Sequence, residues 1–298
     1  MDLKMAVVDL MPGPLVRTFA SPYIAGKGME AGIRKADQIF RDAGLRSTVD
    51  LLGEAVHRRE DVEATVQLYF RMIEALKGKH HASISLKPTQ LGIHESEGTC
   101  AENIRKIVAR AAPQGTQVTI DMEDRHFTDL TLRIFKALRA DFDNVGIVLQ
   151  SRLFRCREDI LALPKLPCKV RICIGIYNEP PEVALTDKGA MKEKMFEFVQ
   201  LLLDLGHYPE IATHDEALIR RCMGYLEARG CPNDAFEYQM LLGVPRTALQ
   251  QEIVAKGQVM RLYVPFAEEW KYAIHYLKRR LAHNPMMAAY VLGNLFRT

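Results

Sequence analysis

Several features that would assign a chain to a class at a glance are missing from this sequence. No apolar run approaches the roughly 18–20 residues needed to cross a bilayer, and mean hydropathy is −0.09. The opening residues, Met1-Asp2-Leu3-Lys4-Met5-Ala6-Val7-Val8-Asp9, carry acids inside their short apolar stretch and lack the layout of a signal peptide. A soluble, cytoplasmic chain is expected. Neither sign of charge dominates. The 40 Lys+Arg against 37 Asp+Glu leave a formal net charge of +3, and the basic residues are dispersed, which argues against a nucleic-acid partner. The six cysteines (Cys100, Cys156, Cys168, Cys173, Cys222, Cys231) form no CxxC pair and no zinc-ligand spacing, so free thiols are expected, several of them buried as small hydrophobes. The nine histidines include no HExxH and no strand HxH; His80, His81 and His275 read as surface or helix-flanking residues. No metal site is expected, and without a G-x-S-x-G elbow a Ser-His-Asp hydrolase is disfavoured too. There is no Walker P-loop. The nearest approach to a glycine-rich fingerprint, Gly26-Lys27-Gly28, follows no convincing strand and reads as a flexible N-terminal loop.

What is present is a rhythm. The 298 residues, 48% hydrophobic and 26% charged, suffice for two ordinary domains or one large barrel. Eight short segments rich in apolar and β-branched residues alternate with stretches of helical period: Ser47–Gly53, Ala82–Lys87, Gln117–Glu123, Asn144–Gln150, Cys168–Gly175, Glu210–Asp215, Phe236–Leu241 and Val259–Pro265. Between them, Asp61–Leu76, Phe127–Leu138 (with Thr128 as its N-cap), Lys188–Leu205, Glu216–Ala228 and Glu268–Ala282 are amphipathic helices. Eight such alternations predict a (β/α)₈ TIM-type barrel, α/β in class. A doubly wound sheet usually has fewer strands and a glycine-rich first turn. Residues 1–44 precede the first strand and predict one or two packing helices; Pro285–Thr298 predicts a terminal helix. With no linker-like tract, a single domain over 1–298 is expected, the barrel occupying 45–298.

Barrel enzymes carry their chemistry at the C-terminal ends of the strands. The polar residues there are Glu54, Lys87, Asp121, Glu123, Gln150, Arg171, Tyr177, Thr213, His214, Asp215, Glu237, Gln239 and Tyr263. Strands covered on both faces should read almost wholly apolar, so Lys87, Asp121, Arg171 and His214 break the pattern where function would break it. Some could be ion pairs closing the barrel top, but a whole ring of charge at one end is costly unless it holds a ligand. The last helix adds Tyr276-Leu277-Lys278-Arg279-Arg280. Adjacent arginines on a helix point about 100° apart, the pattern of an ordinary surface helix. Laid across the barrel mouth, however, the pair could grip one carboxylate, because a guanidinium fork binds carboxylates bidentately.

These segments together resemble the proline dehydrogenase family of flavin enzymes, over about Val49 to Pro285. Ser85-Leu86-Lys87-Pro88-Thr89-Gln90-Leu91-Gly92 is similar to that family's second-strand signature, and Ile120-Asp121-Met122-Glu123-Asp124, Val148-Leu149-Gln150 and Val170-Arg171 to the next three. Ala212-Thr213-His214-Asp215, Phe236-Glu237-Tyr238-Gln239-Met240-Leu241, Arg261-Leu262-Tyr263-Val264-Pro265 and the tail Tyr276-Leu277-Lys278-Arg279-Arg280-Leu281 complete the order. The resemblance implies a distorted barrel with noncovalent FAD at the strand ends and the last helix over the mouth. It implies that Asp121 and Arg171 are catalytic, with Arg171 beside flavin N5, and that Lys87, Tyr263, Tyr276, Arg279 and Arg280 bind substrate. Met122, Gln150, Ile174, Gly175, Ile176, Thr213 and His214 would contact the cofactor. The implied reaction is hydride transfer from C5 of proline to the flavin, giving Δ1-pyrroline-5-carboxylate, with electrons passed to a quinone at the inner membrane face and a downstream pyrroline-5-carboxylate dehydrogenase as partner.

Two positions depart from the pattern. The fifth-strand signature Arg-x-x-Lys-Gly-Ala-Tyr appears as Arg171-Ile172-Cys173-Ile174-Gly175-Ile176-Tyr177, and His283 stands where a Glu usually follows the paired arginines. Losing a Lys and a Glu together leaves net charge unchanged, as removal of one ion pair would. These changes bear on the flavin environment and on substrate identity, so a dehydrogenase of hydroxyproline or another cyclic or N-alkyl amino acid is the alternative. A catalytically silent barrel that binds an imino acid or a partner protein is the third reading.

Overall fold

Short runs such as Val145-Gly146-Ile147-Val148-Leu149 and Ile84 to Leu86 can be buried on both faces only inside a sheet covered by helices. The computed structural model describes residues 11–53 and 55–283, and there the eight runs are parallel strands: β1 Arg46–Leu51, β2 Ala82–Leu86, β3 Val118–Ile120, β4 Val145–Gln150, β5 Lys169–Cys173, β6 Tyr208–Ala212, β7 Glu237–Leu241 and β8 Val259–Phe266. They pair in chain order and close, β1 joining β8 with Val49 opposite Val264 and Asp50 opposite Pro265. The fold is the expected TIM-type barrel.

The outer ring consists of α3 Arg59–Ala75, α4 Glu97–Ala111, α5 Arg125–Arg139, α6 Cys156–Leu161, α7 Lys188–Asp204, α8 Glu216–Ala228, α9 Thr247–Ala255 and α10 Trp270–His283; α1 Gly13–Ala20 and α2 Met29–Ala43 precede β1. Helices α4, α6 and α9 have no counterpart among the amphipathic stretches named above. The first helix of that list after β3 also starts earlier than expected. Asp124, not Thr128, caps α5 by accepting the His126 amide at 2.9 Å, while Thr128 is buried one turn inside. Asp187 and Asp215 cap α7 and α8 in the same way.

The main apolar core lies between strands and helices, where Ile84, Tyr69, Met72, Ile104 and Phe135 are fully enclosed. Each such side chain contributes about 2 kcal/mol relative to exposure. A second, separate cluster forms above the β1/β8 end of the barrel from Val16, Tyr23, Ile24, Leu52, Ala267, Ala273, Tyr276 and Leu277. It joins α1 to α10, with the Arg17 guanidinium 4.0 Å from the Trp270 ring centroid. The Gly26-Lys27-Gly28 segment is not a flexible loop. Lys27 forms a parallel bridge with Ala267, and the Ala25 and Gly28 amides donate to the carbonyls of Pro265 and Ala267, which ties the N-terminal segment to the end of β8. Backbone φ values of +138° and +85° at Gly26 and Gly28 account for glycine at both positions.

The six cysteines are free thiols, four of them buried. His81 is not a surface residue: its ring stacks on Phe40 at 4.4 Å and its Nε2 lies 2.9 Å from Asp37. Among the described residues no helix is long and apolar enough to cross a membrane.

Candidate active site

Alternate residues of a strand face the same way, so β1, β2, β3, β5, β7 and β8 each send polar side chains into the barrel. Ser85 and Lys87 come from β2, Asp121 follows β3, Arg171 lies mid-way along β5, and Tyr263 comes from β8. These residues meet. Asp121 accepts four donors or cations: Oδ1 takes Ser85 Oγ at 2.7 Å and Arg171 Nη1 at 2.8 Å, and Oδ2 takes the Tyr263 hydroxyl at 2.6 Å with Lys87 Nζ at 3.2 Å. Lys87 also donates to Asp50 at 2.5 Å. Its extended backbone is imposed by Pro88, which disfavours helix at the preceding residue. The Arg171 guanidinium stands 5.1 Å from the Tyr263 ring centroid.

Burial raises the energy of every charge in this group, and the partners decide which ones persist. For Asp121, burial favours the neutral acid, but Lys87 and Arg171 outweigh it and hold the carboxyl below its usual range. For Lys87, burial is overcome by Asp50, and the ammonium is stabilised well beyond its ordinary range. Asp50 is the exception. Burial dominates over the pull of Lys87, and its carboxyl is pushed up to about 6. Lys87 and Arg171 thus balance Asp50 and Asp121, and of these four it is Asp50 whose carboxyl is pushed up.

The neighbouring strand ends form a second group. Gln150 donates Nε2 to the Glu123 carbonyl at 2.9 Å, while its buried Oε1 has no hydrogen-bond partner. The buried Arg171 Nη2 is likewise unpartnered. Gly175 lies beside Gln150 with φ +100°, and a Cβ there would collide with the Gln150 side chain. Ile174, half-buried, precedes it and Ile176, 53% exposed, follows it, both beyond the strand, which stops at Cys173 rather than Gly175. Met122 is buried between Asp121 and Glu123, and Glu123 is held by the amide and hydroxyl of Thr89. Thr213 and His214 follow β6; His214 Nε2 accepts the Leu241 amide at 2.9 Å, which fixes its acceptor nitrogen. Tyr276 is buried in the α1/α10 cluster. Arg279, Arg280 and His283 lie on α10, and their side chains, like Glu54, fall outside the described residues, as do Pro285–Thr298.

Glu237 is a correction. It begins β7 rather than ending it, so it lies at the opposite end of the barrel from the mouth. There Arg261 Nε and Nη2 grip its carboxylate at 2.5 and 3.0 Å, and Arg261 Nη1 donates to the Ser47 carbonyl and Ser83 Oγ. Gln239 links this floor to the mouth. Its Nε2 donates to Glu210 and Glu237 at 2.8 and 2.6 Å, and its Oε1 accepts Arg171 Nε at 2.6 Å. Asp50, Glu210 and Arg261 were not singled out among the candidate site residues. Each is a charge within an apolar strand, the signal that marked Lys87 and Asp121.

The profile of the family described as proline dehydrogenase matches residues 33–176 and 186–291. The chain belongs to the proline dehydrogenase family. It is 34% identical to a proline dehydrogenase of Deinococcus radiodurans over 284 residues, covering 93% of this chain and 90% of that one. It is 35% identical to proline dehydrogenase 2 of Bacillus subtilis over 283 residues, 94% of this chain and 91% of the relative. Among solved structures, proline utilization A (PutA) from Bdellovibrio bacteriovorus, inactivated by N-propargylglycine, superimposes with a TM-score of 0.80 at 24% identity over 88% of this chain. That likeness concerns the fold, and the chain spans about a third (32%) of that structure's length. Family membership gives the strand-end constellation its context: the barrel mouth of a proline dehydrogenase fold is where Lys87, Asp121, Arg171 and Tyr263 converge.

Proposed function

We propose that this chain is a flavin-dependent dehydrogenase that oxidises L-proline to Δ1-pyrroline-5-carboxylate, the first step of proline breakdown. Its electrons pass to a quinone, at the inner face of the membrane, and its product to a pyrroline-5-carboxylate dehydrogenase. Residues 1–298 act as one catalytic unit in this reading. The observation that carries it is the convergence of Lys87, Asp121, Arg171 and Tyr263 in a member of this family, beside two buried polar atoms, Gln150 Oε1 and Arg171 Nη2, that await partners. A buried donor and a buried acceptor left unpaired cost free energy unless a ligand completes them, and the missing side chain at Gly175 lets Gln150 and Arg152 pack against the loop backbone there. The site therefore suits noncovalent FAD, held by Gln150, Gly175, Thr213 and His214 with Met122, Ile174 and Ile176 as apolar contacts.

When bound, FAD supplies the two-electron acceptor. In the reaction the C5–H bond breaks with its electron pair, the amine loses a proton, and a C5=N double bond forms. The chain's own residues position and polarise rather than attack. Arg279 and Arg280 take the substrate carboxylate in this reading, and Tyr263 and Tyr276 wall the ring, fixing C5 at transfer distance. Asp121, saturated with donors, holds Arg171 and Tyr263 in place as a permanent anion. Arg171 would offer the flavin its Nη2 group, which no protein acceptor uses, so that its charge could offset negative charge on the cofactor.

The purified chain incubated with FAD should turn yellow, and anaerobic proline should bleach it faster than hydroxyproline or N-alkyl amino acids do. A chain that takes up no FAD, or whose flavin no imino acid reduces, would overturn the reading. A clear preference for hydroxyproline would transfer it to that substrate, the outcome that Ile174 and His283 would then explain.

A further inference from the structure

Ile174 stands where the resembled signature has a lysine, so the loop after β5 brings no cation of its own beside Gly175. The neighbouring loop does. Arg152, two residues past Gln150, lies across the β5 loop: its backbone amide donates to the Ile174 carbonyl at 3.3 Å, and its Cδ is 3.1 Å from where a Cβ on Gly175 would stand. Nη1 donates to the Tyr177 carbonyl at 2.6 Å and Nη2 to the Leu185 carbonyl at 3.4 Å. Nε is buried and has no partner. Among the described residues no carboxylate approaches this guanidinium within ion-pair distance; its partners are neutral carbonyls, which orient the charge without neutralising it. Such a half-buried, uncompensated cation is unfavourable on its own and becomes favourable when an anion joins it. Ile176, in the same loop, presents an exposed apolar side chain that an incoming ring system would cover.

We propose that Arg152 binds the diphosphate of FAD and replaces the cation lost at position 174. The inference rests on the flavin reading above. Within it, chemistry selects the target. The oxidised isoalloxazine, the ribityl chain and the adenosine are uncharged at neutral pH, so the diphosphate is the one part of the dinucleotide that an unpaired guanidinium can neutralise. Arginine's planar fork suits phosphate oxygens, and Nε holds an N–H that no protein acceptor uses.

The test compares ligands with and without the diphosphate on the full chain. Dissociation constants for FAD and for riboflavin are read by flavin fluorescence in wild type, Arg152→Met, Arg152→Lys and the double variant Arg152→Met/Ile174→Lys. Loss of a charged hydrogen bond predicts about 10- to 100-fold weaker FAD binding in Arg152→Met, with riboflavin affinity unchanged. Arg152→Lys should fall between, and the double variant should regain most of the lost FAD affinity. Added salt should weaken FAD binding more in wild type than in Arg152→Met. Equal losses for FAD and riboflavin, with no rescue by Lys at 174, would make Arg152 a strut of the loop and overturn the proposal. So would unchanged FAD affinity in Arg152→Met. Failure of wild type to bind either flavin would instead remove the flavin reading itself, and this proposal with it.

Discussion

The floor and the mouth of this barrel both gather charged side chains inside the strands, yet they are built on different principles. At the floor, Arg261 spends every nitrogen on Glu237, Ser47 and Ser83, and Gln239 fills the space between Glu237 and Glu210. At the mouth, Arg171 keeps an unpartnered Nη2, Gln150 an unpartnered Oε1, and Asp50 a carboxyl raised to about 6. A cation with every nitrogen engaged specifies a structure; one with a nitrogen to spare prepares a site. The floor also serves the mouth, since Gln239 passes its order to Arg171 through a 2.6 Å hydrogen bond.

The contrast can be broken by substitutions on each side. Arg261→Met should have the largest effect on folding, about 3–5 kcal/mol in urea unfolding, because it strands the buried Glu237 carboxylate without its paired cation. A loss below about 1 kcal/mol would show that the floor is not the stabilising layer. Lys87→Met at the mouth should cost less stability, since the raised Asp50 carboxyl can accept a proton and become neutral. It should lower kcat/KM for proline about 100-fold through lost positioning. Equal destabilisation of the two variants, with kcat/KM intact, would erase the distinction.

Asp50→Asn sharpens the comparison with the smallest effect. Below about pH 6 Asp50 gains a proton and loosens its hold on Lys87, so wild-type kcat/KM should fall on an acid limb near that value. The variant should be roughly tenfold slower at pH 7 and lack this limb. Stability carries the opposite sign. A folded carboxyl at about 6, against an ordinary 3.8, binds protons more tightly than the unfolded chain, so its contribution is present below pH 3.8 and lost as pH rises through 6. The stability advantage of wild type over Asp50→Asn should therefore grow as pH falls from 7 to 4. An acid limb that persists in the variant would assign it to another group.

Lys87, Asp121 and Tyr263 were legible because a charge or hydroxyl at the end of an apolar run has few bland explanations. Asp50 and Arg261 obey the same rule but sit inside their runs, where attention to strand ends passes over them. Glu237 was misplaced for a different reason. Period-two alternation puts it on the same face as Gln239, but face alone does not say which end of the barrel a side chain serves, and Glu237 opens the run Phe236–Leu241 rather than closing it. Element ends are the weaker signal elsewhere too: periodicity extended β5 to Gly175 and moved the cap of α5 from Asp124 to Thr128. Arg152 gave no signal at all, because its role depends on a loop 23 residues away.

The order of apolar and polar residues along the chain was enough to specify eight parallel strands, the helices that cover most of them, and the family, since these follow from local periodicity and short motifs. Which charges meet could not be read there. Asp50, Lys87, Asp121, Arg171 and Tyr263 come from five strands and converge only when β1 closes on β8. Their protonation follows from burial in that closed interior, because desolvation and Coulomb forces depend on distances across the barrel and not on separation along the chain.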